Sequence, residues 1–141
     1  MLARSRPPVG PRTIGLAAAI AGIALGTVAL AADTMPPNVK TETINGHQVL
    51  ADSQGMALYT FAKDKPGHSV CIGGCADYWP PLMAPSGFSP SGDWSVVKRP
   101  DGSDQLAHEG KPLYTFSKDQ PGQDKGDGFR GVWHVATVAG G

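Results

Sequence analysis

Charge is scarce in this sequence and it cancels: 17% of the residues are charged, with 12 basic side chains against 12 acidic ones. No basic stripe or patch stands out, so a nucleic-acid partner is not expected. Cysteine is nearly absent, with Cys71 and Cys75 the two present. Their C-x3-C spacing, followed by Ala76, excludes the C-x-x-C-H pattern of covalent haem attachment. The chain also lacks a G-x-S-x-G elbow, an H-E-x-x-H pair, a phosphate-binding loop and a dinucleotide fingerprint, so no enzymatic activity is expected. Asp124-Lys-Gly-Asp127-Gly128 resembles the start of a calcium loop but has no distal glutamate, and reads as a solvated turn. Long helices are disfavoured by 19 glycines and 13 prolines, which instead suit turns between short strands.

What the chain does contain is one sentence written twice. Gly55-Met-Ala-Leu-Tyr-Thr-Phe-Ala-Lys-Asp-Lys-Pro-Gly67 returns as Gly110-Lys-Pro-Leu-Tyr-Thr-Phe-Ser-Lys-Asp-Gln-Pro-Gly122, identical at nine of thirteen positions without a gap. Such a match marks an internal duplication. Within each copy Leu58, Thr60 and Ala62 alternate with Tyr59, Phe61 and Lys63, as Leu113, Thr115 and Ser117 do with Tyr114, Phe116 and Lys118. That is the period of a strand carrying its aromatics on one face. Lys65-Pro-Gly-His68 and Gln120-Pro-Gly-Gln123 suit type II turns, with proline setting φ and glycine taking φ > 0. Asp64 and Asp119 precede these turns. Pro66 and Pro121 have no N–H to offer them, so each carboxylate must reach a later amide, such as Gly67 or Gly122, or the other repeat. They are expected to brace structure.

Taken in order, residues 1–31 read as a secretory signal peptide. Arg4, Arg6 and Arg12 form a basic start, Ile14–Leu30 is an uncharged apolar run, and Ala29-Leu-Ala31 is a cleavage site before Ala32. Membrane attachment is expected only if that segment stays uncleaved. Its removal takes away three arginines and no acid, leaving nine basic against twelve acidic residues and a net charge of −3. Residues 32–40 read as a flexible spacer, and 41–141 as a single domain of two repeats, about 41–90 and 91–138. Asn45-Gly46 and Asp101-Gly102 are hairpin turns in equivalent places, Glu109-Gly110 turns the chain into the second motif, and Val132–Val138 is a closing strand. His47, His108 and His134 fall on strands. Trp79, Trp94 and Trp133 join Tyr59, Phe61, Tyr114 and Phe116 as core candidates. The expected fold is all-β: two tandem β-meander repeats packed as a small sandwich or barrel, with a Gly/Pro-rich disulfide loop between them.

Tyr59-Thr-Phe61-Ala-Lys-Asp64 and Tyr114-Thr-Phe116-Ser-Lys-Asp119 both fit Tyr-x-(Phe/Trp/Tyr)-x-x-Asp. With Cys71-x3-Cys75-x3-Trp79-Pro-Pro81 after the first copy and Arg99-Pro-Asp-Gly102 before the second, the chain resembles the bacterial secreted repeat of unknown function. The likeness covers most of residues 41–138. It implies export and duplication, and no established reaction. Members are described as lipoproteins, which need a cysteine at the cleavage point; here the first cysteine is Cys71.

Exported cysteines meet an oxidising compartment, and two of them favour one disulfide, Cys71–Cys75, with Gly73 and Gly74 letting the chain fold back. The alternative is a metal or thiol-redox site in which His68, Cys71 and Cys75, joined by Met83 or Met56, offer soft ligands that suit copper. The expectation is therefore an exported, non-enzymatic binding module without a cofactor, working on an unidentified envelope ligand or protein, in the periplasm or secreted beyond it.

Overall fold

The structure, a computed structural model, describes residues 34–138 together with isolated positions 8–10, 15, 22 and 26. The expected leader and its cleavage point fall outside the described residues, those isolated positions aside. The expected spacer requires correction. Pro36 is buried, the Val39 amide bonds the Pro36 carbonyl at 2.9 Å, and Val39 packs in the core, so the fold takes in this segment before residue 41.

β1 (Val39–Ile44) and β2 (His47–Asp52) form an antiparallel hairpin with Ile44 opposite His47. Its two-residue turn places Asn45 at φ 50° and Gly46 at φ 81°, the left-handed pair that matches strand twist. Asp52 then accepts from the amides of Gln54 and Met56, both at 2.9 Å, and turns the chain into β3 (Tyr59–Phe61). After the short helix α1 (Gly74–Tyr78), the plan repeats with β4 (Trp94–Lys98), β5 (Asp104–His108) and β6 (Lys111–Pro112). A 3-10 turn at Phe129–Gly131 leads into β7 (Trp133–Val135).

The repeats are not separate bodies. β7, at the end of the second repeat, pairs with β3 of the first, setting Tyr59 against Val135 and Phe61 against Trp133. Reciprocally, Trp79–Met83 of the first repeat runs along the second motif: Leu82 N bonds Leu113 O at 2.9 Å, matching Ala136 N to Leu58 O at 2.7 Å. The two motifs meet at Tyr59 and Tyr114, whose amides and carbonyls bond each other at 2.8 and 3.0 Å. An approximate twofold axis passes between them, and it relates Trp79 to Trp133.

Leu113–Lys118 was expected to form a strand like Leu58–Lys63, yet only Tyr114 makes a bridge in that stretch. Its partner explains the difference. Thr115 N bonds Pro80 O at 2.9 Å, but Pro80 has no N–H to return, so the ladder that β3 completes with β7 stays half-made. Three short antiparallel sheets result, β1–β2, β3–β7 and β4–β5–β6. Single bridges such as Val49–Thr137, Pro81–Tyr114 and Met83–Gln105 link them without closing a barrel.

Alternation along the central segments divides the core. Tyr59, Tyr114 and Phe116 point to one side with Trp79, Trp133, Cys71, Ile44 and Val49. Leu58 and Leu113 point to the other, with Leu50, Leu82, Leu106, Val39 and Trp94. Both faces of the middle strands are thus buried, the aromatic layer on one and the leucine layer on the other.

Candidate functional site

The twofold axis gathers the duplicated motif residues. The Tyr59 hydroxyl donates to Asp119 Oδ2 at 2.5 Å, and the Tyr114 hydroxyl donates to Asp64 Oδ2 at 2.6 Å. The other oxygen of each carboxylate takes an amide in the following loop: Val70 N to Asp64 Oδ1 at 2.7 Å and Lys125 N to Asp119 Oδ1 at 2.8 Å. Neither aspartate uses Gly67 or Gly122. Those glycine amides bond across the axis instead, Gly67 N to Gly110 O and Gly122 N to Gly55 O, both at 3.0 Å. Each aspartate therefore faces a tyrosine of the other repeat, and this crossed bracing is what the motif builds.

Burial sets the protonation of these groups. It pushes the Tyr59 hydroxyl far above its ordinary value, and the Asp119 hydrogen bond adds to the shift. Burial does the same at Tyr114, reinforced by Asp64. Both carboxyls are also raised, chiefly by burial, against the opposing pull of their tyrosine and amide donors. Asp64 further feels the Arg99 charge, which opposes its rise. Each oxygen of the two carboxylates thus accepts one hydrogen bond, from a tyrosine hydroxyl or from a backbone amide.

The equivalent loops after the motifs differ in chemistry. In the first repeat Cys71 and Cys75 form a disulfide, Sγ–Sγ 2.06 Å, with Cys71 fully buried. Arg99, itself buried, holds this loop by donating to the Cys71 carbonyl at 2.9 Å and to Ser69 Oγ and Gln105 Oε1 at 2.8 Å. The single hydroxyl hydrogen of Tyr114 goes to Asp64. The 2.6 Å contact between Ser69 and Tyr114 therefore runs from serine to tyrosine, completing a chain from Arg99 through Ser69 and Tyr114 to Asp64. On the other side Tyr59 accepts from the backbone amide of Gly126 at 3.1 Å. Motif and spacing do not single out Arg99 and Gln105 as site residues. They occupy the hairpin places that Ile44 and Val49 fill in the first repeat, and that switch from apolar to polar was the available signal.

The alternative ligand set is not assembled. Cys71 and Cys75 are bonded to each other, His68 is exposed on its turn, and Met83 sits on a bridge to Gln105 with its side chain largely open. Among the described residues the ligating side chains that converge are Asp93, His108 and Glu109, within 4.8 Å of one another. In the Asp124–Gly128 stretch, read from the sequence as a solvated turn, the acids are engaged in structure: Asp124 accepts from Asn45 Nδ2 at 2.6 Å and Asp127 from Val135 N at 3.0 Å.

The axis also carries a column of rings. Phe61 stacks on Trp133 (4.2 Å between centroids, 11° between planes), Trp133 on Trp79 (3.8 Å, 3°) and Trp79 on Phe116 (4.3 Å, 23°). Tyr59 and Tyr114 meet the tryptophans edge-on at 5.3 and 5.2 Å. Beside this column lies a groove of about 630 Å³, lined by its four rings and by Tyr78 and Phe129, which are 58% and 39% exposed. Lys63 and Lys118, from the same place in each motif, stand in its lining with Arg130, and Cys75 forms part of one wall. The guanidinium of Arg130 lies 5.4 Å from the Phe129 ring, and Lys118 Nζ lies 5.9 Å from that of Tyr78.

The family model for the secreted repeat of unknown function matches the chain twice, over residues 45–83 and 95–137. This chain belongs to that family. The two matches fall on the two structural repeats, and each ends on a residue of the exchanged pairing, Met83 and Thr137. Comparison with curated proteins and with solved structures yields no match. Among the described residues of this secreted repeat, no helix is long and apolar enough to cross a membrane.

Proposed function

We propose that this secreted repeat is a non-enzymatic binding module acting in the periplasm or outside the cell after cleavage near Ala31/Ala32, and that the groove beside the aromatic column is its binding face. The observation that carries the reading is the exposure of Tyr78 and Phe129 at a concave site whose floor is rigid stacked rings. Buried aromatics usually serve the core alone; here the column both fills the core and walls a cleft of a size suited to small molecules. The bonds that Asp64 and Asp119 accept from a tyrosine of the other repeat and from an amide of their own following loop support a bracing role for them.

The test is a native intact mass of the protein recovered from the cell envelope without chelator, compared with a Tyr78→Ala/Phe129→Ala variant. The expected result is a mature N-terminus at Ala32, a closed disulfide, and a retained organic mass that the variant loses. A retained metal, with both thiols open to alkylation once it is released, would instead assign the copper-type or thiol-redox role to His68, Cys71 and Cys75.

A further inference from the structure

Resting on the groove as the binding face, we infer that its ligand is a flat, conjugated, anionic small molecule, an aromatic or quinonoid carboxylate, with a dianion favoured. Three features of the groove select that chemistry. First, both faces of Trp79 and of Trp133 are already covered by neighbouring rings, so the tryptophans present edges to the groove. Ring edges carry the positive end of the aromatic quadrupole and seek the electron-rich face of another π system.

Second, every charged residue of the lining is a cation: Lys63, Lys118 and Arg130, with no carboxylate among them. All three are exposed, and none makes an ion pair with a carboxylate among the described residues. Residues 32–141 carry nine basic against twelve acidic side chains, so this local positive charge runs against their net charge. It repels cationic ligands and leaves anionic ones an apolar cleft with counter-charges at its rim. Third, Lys63 and Lys118 are the same motif position in the two repeats, placed on opposite sides of the twofold axis. A ligand with a carboxylate at each end matches that symmetry.

Calorimetric titration of the mature protein with three probes of one shape tests this: naphthalene-2,6-dicarboxylate, its uncharged diamide and its cationic diamidine. The dianion is expected to bind about tenfold or more tightly than the diamide, and the diamidine not at all. Lys63→Gln with Lys118→Gln, both on exposed side chains, should weaken the dianion about tenfold and leave the diamide unchanged. If the diamide binds as tightly as the dianion, or the lysine variant binds the dianion undiminished, the anionic ligand is overturned while the groove survives as a binding face. If no probe binds at millimolar concentration, both the ligand class and the groove as a small-molecule site are overturned.

Discussion

Tyr59 in the first repeat gives its hydroxyl hydrogen to Asp119 in the second, at 2.5 Å, and Tyr114 returns the same bond to Asp64 at 2.6 Å. A motif that looks local in sequence thus does its work between repeats. Tyr59→Phe strips Asp119 of one donor and leaves the Gly126 amide facing a ring edge. We expect a loss of about 1–3 kcal/mol, measured by urea unfolding, because buried polar groups are left unpaired. Tyr114→Phe should cost a similar amount and loosen the Ser69–Arg99 chain with it. Unchanged midpoints in both variants would mean that the crossed bonds carry no stability.

The raised carboxyls of Asp64 and Asp119 dictate an unusual acid response. Above the ordinary value of 3.8, the folded state holds protons that the unfolded state has released. Their contribution is therefore fully present below the unfolded pKa and is lost as pH rises through the folded values. Against an Asp64→Asn/Asp119→Asn variant, the wild type should gain relative stability as pH falls from neutrality toward that value. Loss of relative stability over the same range would contradict the burial effect. In alkali the sign is the same: Tyr59 and Tyr114 stay protonated in the fold, so stability drops once unfolded tyrosines ionise, near pH 10.

Gly126 is the point where the second loop passes the aromatic column. A Cβ there would lie 2.6 Å from Trp79 Cη2 and 3.1 Å from Phe116 Cδ1, both parts of rigid stacked rings. Gly126→Ala should therefore cost about 1–3 kcal/mol by overpacking and alter the near-ultraviolet circular dichroism of the tryptophans. An alanine variant with wild-type dichroism and melting would show that the column can yield.

Strand exchange makes the repeats interdependent. A fragment of residues 34–90 has β3 without β7, and one of 91–141 has its second motif without Trp79–Met83. Each alone is expected to show no near-ultraviolet signal, and mixing the two should restore it. Native-like dichroism and a cooperative melt in either fragment would mean that pairing within a repeat suffices.

Much of this was open to reading from the chain. The duplication, the Asn45-Gly46 hairpin and the Pro-Gly turns follow from short-range rules, because a left-handed φ or a missing amide is a property of one or two residues. Two cysteines four positions apart favoured one disulfide, with a metal site as the alternative, and the alternation of Leu58 and Tyr59 pointed to two faces. Tertiary structure decided which repeat each strand pairs with, since nothing local in Trp133–Val135 tells it to seek Tyr59 and not the neighbouring motif. It also decided that Pro80 would interrupt the second ladder and that Arg99 would replace an isoleucine in the hairpin while its charge reaches Asp64. Trp79 and Trp133 each follow a motif aspartate at nearly the same spacing, yet their stacking at 3.8 Å exists only once the exchange has brought both to the axis. Periodicity is written residue by residue, whereas partnership across a symmetry axis depends on the free energy of the whole buried layer, and no single stretch of sequence contains it.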